Sequence, residues 1–255
     1  MARALAGGIA ARFPEAALVA ADPSPEARER MQAAVPGLRI VANNSAVAAE
    51  SDLLVLAVKP HTVLGLAAEL GGYSHLLVSI AAGVPIAALE ARYPDARVIR
   101  VMPNTPALVG HLAAGVFPGS RATDEDRARC LEVFGALGTV REMPETLVHA
   151  VIATSGSGPA FWARLAGWAI DEGRALGLSE DVSQELVLAT MTGTAELLRS
   201  GGMSADELVT AVSSPGGTTI AGRARLEDGE AEEAMRETMR LAAQRSRQML
   251  SEAGE

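Results

Sequence analysis

Apolar residues in the first half of the chain come in short unbroken runs rather than in helical stripes. Residues 52–58, Asp-Leu-Leu-Val-Leu-Ala-Val, are the clearest case. A run of this kind marks a parallel strand buried on both faces. Residues 17–21, 39–42, 76–80 and 98–102 read the same way, and 115–117 and 139–142 more weakly. Helical patterns lie between them: residues 1–12 with Leu5 and Ile9 on one face, 25–34 behind Pro25, a short helix after Asn43-Asn44-Ser45, and a helix opened by Thr123 and Asp126 in capping-box spacing. Strands alternating with helices predict an open parallel sheet joined by right-handed crossovers.

The pattern changes after about Glu145. Residues 159–176, 181–199, 204–212, 218–226 and 230–253 all read as helices, with Phe161, Trp162, Leu165 and Trp168 on one apolar face and Met235, Met239, Ala242 and Met249 on another. The expected layout is therefore a sheet-bearing domain over residues 1–146 and an all-helical domain over 147–255.

At 255 residues the chain can form two modest domains. A net charge of −9 argues against nucleic acid as a main partner, because phosphate binding needs clustered basic residues. No apolar run approaches the ~18 residues of a membrane span, and there is no leader pattern. Cys130 is the only cysteine and the four histidines show no metal spacing, so no metal is expected. These features suit a cytoplasmic enzyme or binding protein. Lys59 is the only lysine, in a chain whose other basic residues are arginine.

Polar or glycine-bearing turns follow the strands: Asp22 to Ser24, Asn43 and Asn44, Lys59, Ala81 to Gly83, and Asn104 with Thr105. In open parallel sheets ligands lie at the carboxyl ends of the strands. Five such turns in succession outline the rim of a crevice. A second candidate lies late in the chain, at Val212-Ser213-Ser214-Pro215-Gly216-Gly217-Thr218-Thr219-Ile220. Pro215-Gly216-Gly217 forces a turn, and a helix follows. Backbone N–H groups at such a helix start bind carboxylate or phosphate. The competing reading is a plain helix connection in which Ser and Thr are caps.

With these residues in view the chain resembles pyrroline-5-carboxylate reductases over nearly its whole length. The resemblance is carried by Ala57-Val58-Lys59-Pro60, Ser79-Ile80-Ala81-Ala82-Gly83, Arg100-Val101-Met102-Pro103-Asn104-Thr105-Pro106-Ala107, Ser155-Gly156-Ser157-Gly158-Pro159-Ala160 and the 213–220 stretch, in this order. It implies a Rossmann-type domain and a helical domain through which two subunits intertwine, as a homodimer open to further assembly. It implies hydride transfer from NAD(P)H to 1-pyrroline-5-carboxylate, giving L-proline. On it, Thr219 is the catalytic hydroxyl beside the imine nitrogen. Ser214, Gly216, Gly217 and Thr218 hold the substrate carboxylate. Ser24, Asn44, Ala57, Val58, Lys59, Pro60, Ala82, Pro103 and Asn104 hold the cofactor. The family uses NADPH; Ser24 and Arg28 suit a phosphate, while Asp22 suits the ribose hydroxyl of NAD, so NADP is expected with NAD open.

Two departures stand out. The family begins with a strand and a glycine-rich turn that holds the pyrophosphate, whereas Met1-Ala2-Arg3-Ala4-Leu5-Ala6-Gly7-Gly8 resembles the helix after that turn. Loss of that strand should expose sheet edges and weaken cofactor binding, which leaves a dimeric family member with impaired or no catalysis as the alternative. Arg223 stands where the family has an aliphatic residue. A two-domain dehydrogenase of 3-hydroxy acids is a third reading, but its catalytic lysine would have no counterpart in the helical domain.

Overall fold

The computed structural model describes residues 1–70 and 72–252; Ala253, the expected last residue of the final helix, lies outside them. The chain divides into two compact units, residues 1–159 with 241–255, and residues 160–240.

The first unit opens with α1 (Ala2–Arg12), followed by β1 (Val19–Ala20), α2 (Pro25–Ala34), β2 (Arg39–Ile40) and α3 (Asn44–Ala49). Next come β3 (Leu53–Leu56), α4 (Pro60–Val63), β4 (Leu76–Ser79), α5 (Ile86–Arg92) and β5 (Arg97–Met102). The unit continues with β6 (Leu112–Pro118), α6 (Asp124–Gly135), β7 (Gly138–Glu142) and the single turn α7 (Val148–Val151). The strands form two separate sheets: β1 pairs with β2 in parallel, and five strands stand in the order β3-β4-β5-β6-β7. β3, β4 and β5 are mutually parallel, with Leu56 beside Ser79 and Leu76 beside Arg97. The sheet is not wholly parallel as expected: β6 runs antiparallel to β5, and β7 parallel to β6. Apolar runs report burial and not direction, so this reversal was invisible in the sequence.

Alternation along the central strands divides the core. Leu76 and Val78 of β4, with Ile99 and Val101 of β5, face α1 and α6 and pack on Leu5, Cys130 and Phe134. Leu54, Leu56, Leu77 and Val98 face the other way, toward Val63, Leu66, Leu89 and Tyr93. Every residue of β4 is buried, which is why its sequence shows no polar alternation. α6 begins as its sequence requires: Thr123 Oγ1 accepts from the Asp126 amide, and the Asp126 carboxylate accepts from the Thr123 amide. β1 and β3 each pair on one side only among the described residues.

The remaining elements are helices: α8 (Gly158–Ala175), α9 (Glu180–Ser200), α10 (Ala205–Ala211), α11 (Thr218–Leu226) and α12 (Glu230–Glu252). No strand follows β7 among the described residues. α9 and α10 start with the N-caps Ser179 and Ser204, whose hydroxyls accept from the amides of Val182 and Glu207.

Candidate active site

The candidate site residues fall into two sets, one in each unit. In the first unit, the parallel β3, β4 and β5 end side by side, so the turns 57–60, 80–83 and 103–104 leave one rim of the sheet. Val58, Lys59 and Pro60 are exposed, Ala82 is half-buried, and Pro103 and Asn104 are buried. Among the described residues Lys59 makes no ion pair. Asn104 is tied on both sides: its Nδ2 donates to the Ser155 carbonyl at 3.1 Å and its Oδ1 accepts from the Ala113 amide at 3.0 Å. It therefore fixes the end of β5. Asn44 Nδ2 donates to Glu69 Oε2 at 2.7 Å, while its neighbour Asn43 caps α3.

The turn after β1 is built around a cation. The Ser24 amide donates to Asp22 Oδ1 at 2.9 Å, and Ser24 Oγ accepts from the Ala27 amide at 3.2 Å. Arg28 Nη1 donates to the carbonyls of Asp22 and Pro23 at 2.8 and 3.2 Å. The Asp22 carboxylate is thus turned onto its own loop, and a guanidinium sits at the strand end.

Sequence reasoning missed the ion pair beneath this rim. Arg100 of β5 is 1% exposed, and its Nη1 lies 2.7 Å from Glu145 Oε1, which also accepts from the Ile86 amide at the start of α5. Arg100 Nε has no hydrogen-bond partner among the described residues. An arginine inside the apolar run 98–102 was the available signal, but its partner lies 45 residues away. Just beyond, residues 152–156 form a π-turn, closed by the Ser157 amide donating to the Ile152 carbonyl at 2.7 Å. Ser155 Oγ is bonded to the Val151 carbonyl, so the Ser155-Gly156-Ser157-Gly158 motif shapes the entry to α8 and presents no nucleophile.

In the second unit the 213–220 stretch takes the expected form. The Gly217 amide donates to the Ser214 carbonyl at 2.9 Å across Pro215 and Gly216, and Gly216 has φ +72°. Proline then glycine at these places, with positive φ at the glycine, is a type II turn. Gly217 is the N-cap of α11; a Cβ there would lie 2.5 Å from Ser214 Oγ. No side chain caps this helix. The hydroxyls of Ser214, Thr218 and Thr219 are exposed, and none has a hydrogen-bond partner among the described residues. The capping alternative therefore fails here, in contrast to α9 and α10. The start of α11 presents unpaired backbone N–H groups together with three free hydroxyls.

The first unit thus offers a polar rim at the ends of parallel strands, and the second an uncapped helix start suited to an anion. Residues 145–249 match the family profile "Pyrroline-5-carboxylate reductase dimerisation", and residues 1–83 match "NADP oxidoreductase coenzyme F420-dependent". The chain is 38% identical over 217 residues to pyrroline-5-carboxylate reductase of Methanosarcina acetivorans, covering 84% of this chain and 80% of the relative. It is 34% identical over 261 residues to that of Pseudomonas aeruginosa, covering 100% and 95%. A crystal structure of the Plasmodium falciparum pyrroline carboxylate reductase with NADP bound is 28% identical, with a TM-score of 0.86 over 97% of this chain and 93% of that one. The chain belongs to the pyrroline-5-carboxylate reductase family.

Proposed function

We propose that the protein reduces 1-pyrroline-5-carboxylate to L-proline with a reduced nicotinamide dinucleotide, as a cytoplasmic homodimer. The observation that supports this reading best is the uncapped start of α11, with free hydroxyls at Ser214, Thr218 and Thr219. The amides of the turn and of the first helical residues suit a carboxylate, whose charge the helix end favours. Ser214, Gly216, Gly217 and Thr218 hold that carboxylate in this reading. The Thr219 hydroxyl hydrogen-bonds the ring nitrogen. When bound, the cofactor supplies a hydride from its reduced nicotinamide ring. The carbon of the protonated imine would gain that hydride, and the C=N π pair would become the lone pair of the ring nitrogen, whose N–H is already in place. The protonated imine is already electrophilic, so the protein orients it and stabilises charge rather than supplying a strong acid.

Ser24, Asn44, Ala57, Val58, Lys59, Pro60, Ala82, Pro103 and Asn104 form the dinucleotide rim. The guanidinium of Arg28 and the engaged carboxylate of Asp22 favour a ribose phosphate over a bare hydroxyl, hence NADP. The functional division between dinucleotide and substrate domains falls at 146/147 in this reading. The catalytically impaired alternative is motivated by the glycine-rich turn that the family's pattern leads one to expect, and no observation favours it.

Oxidation of NADPH followed at 340 nm with pyrroline-5-carboxylate tests the reading. Turnover with wild type and a loss of about a hundredfold in kcat for Thr219→Val, with the KM for NADPH unchanged, are expected. A wild-type chain that binds NADPH without turnover would sink the reading in favour of the impaired one.

A further inference from the structure

Arg223 lies four residues after Thr219, on the same face of α11. Its contacts give it a job. Its Nη1 donates to Ser213 Oγ at 3.3 Å, and its Nε lies 2.7 Å from Glu227 Oε1. Ser213 Oγ in turn donates to the Val209 carbonyl at 2.6 Å, so the hydroxyl gives its one proton to α10 and accepts from the guanidinium. Ser213 is the residue immediately before the Ser214–Gly217 turn. A chain of contacts therefore runs from Glu227 through Arg223 and Ser213 to α10. It closes the arc from which the turn projects. These groups line one wall of a cavity of about 380 Å³ that also includes Thr210 and Ile220.

We propose that Arg223 is a positioning residue for the substrate: it clamps Ser213 to α11 and thereby fixes the turn that presents the uncapped start of that helix. The inference rests on the reading of that start as the carboxylate site. Arginine suits the task because one planar group meets two partners in fixed directions. A lysine ammonium keeps the charge and cannot hold both in that geometry. The clamp is thus a matter of geometry rather than of net charge, since Glu227 offsets the cation.

Two readouts on the full chain test this. The first is hydrogen exchange of the backbone amides at 213–218, which needs no turnover. Arg223→Leu should speed exchange of the Gly217 amide by roughly tenfold, the scale of one hydrogen bond to a charged group. Ser213→Ala should do the same, and the double variant should add little. The second is steady-state kinetics with pyrroline-5-carboxylate. The KM for the imine should rise by about tenfold in Arg223→Leu, with kcat at saturation and the KM for NADPH within about twofold of wild type. Arg223→Lys should resemble Arg223→Leu. Unchanged exchange and unchanged KM in Arg223→Leu would overturn the proposal. So would full recovery in Arg223→Lys, which would make the effect one of charge. A wild-type chain without turnover counts against the functional reading, and the exchange experiment still decides whether Arg223 fixes the turn.

Discussion

The two units solve the burial problem in opposite ways. The unit of residues 1–159 and 241–255 closes its core within one chain: all the buried apolar side chains except Ala166 belong to it. The helical unit of residues 160–240 leaves large apolar side chains in water, with Trp162 52% exposed, Trp168 59% and Leu186 54%. A lone soluble domain rarely exposes apolar surface on that scale. The match of residues 145–249 to a dimerisation family fits the proposed homodimer, in which a second copy of the chain would complete the core of this unit. In that reading one unit is stabilised by its own sequence, the other by concentration as well.

The sharpest way to break this comparison is to charge the helical face. Trp168→Glu should abolish dimerisation, a loss of several kcal/mol at a hot-spot aromatic, and turnover should fall with it. The sheet unit should still melt cooperatively. Sedimentation velocity and calorimetry would check this, and a dimer that survives the change would show that the exposed face is not the interface.

Next in size is the ion pair of the sheet unit between buried Arg100 and half-buried Glu145. Arg100→Met leaves the half-buried Glu145 without its cation, and the loss should be about 2 kcal/mol, below the ~3–5 kcal/mol of a fully buried pair. The loss should not depend on protein concentration. Adding Glu145→Gln should restore part of it, as read by urea denaturation of both variants.

A smaller effect comes from pH. Burial alone raises the Asp126 carboxyl, but hydrogen bonds from Arg97 and from the Thr123 amide and hydroxyl outweigh it and hold the group below the ordinary carboxylate range. A carboxyl lowered on folding stabilises the fold above its unfolded pKa. That contribution is lost as pH falls through the folded value. Asp126→Asn should therefore cost about 1 kcal/mol at neutral pH, the scale of one helix cap, and should flatten the acid side of the melting-temperature profile. A variant that keeps the wild-type slope between neutral and acid pH would contradict this.

The smallest expected effect concerns Cys130. Burial pushes its thiol up to about 12, so the thiolate that alkylating agents attack is scarce in the folded protein. Its labelling should follow unfolding of the sheet unit and be indifferent to dissociation of the helical one. Mass spectrometry of Trp168→Glu at low concentration would test that split.

Legibility in the sequence also divided along physical lines. Local chemistry was readable: the unbroken run of β4, the capping box of α6, and the turn that Pro215 and Gly216 impose. Each is set by residues a few positions apart. What pattern could not supply was long-range or directional. The reversal of β6 leaves no trace in burial, and the partners of Arg100 and Asn104 lie 45 and 51 residues away. The candidate site was legible as two sets of residues. That Asn104 spends its carboxamide inside the fold, and that no side chain caps α11, needed coordinates.

The strand edges described above have a practical side. β1 and β3 each keep one row of backbone donors and acceptors unpaired among the described residues. Such rows take up extended peptide without regard to its side chains, and short strands limit the appetite rather than remove it. Storage of the purified protein is therefore a question of colloid chemistry as much as of folding. Its losses should climb with concentration, and a short strand-forming peptide in the buffer should slow them by occupying the row that a neighbouring molecule would otherwise seek.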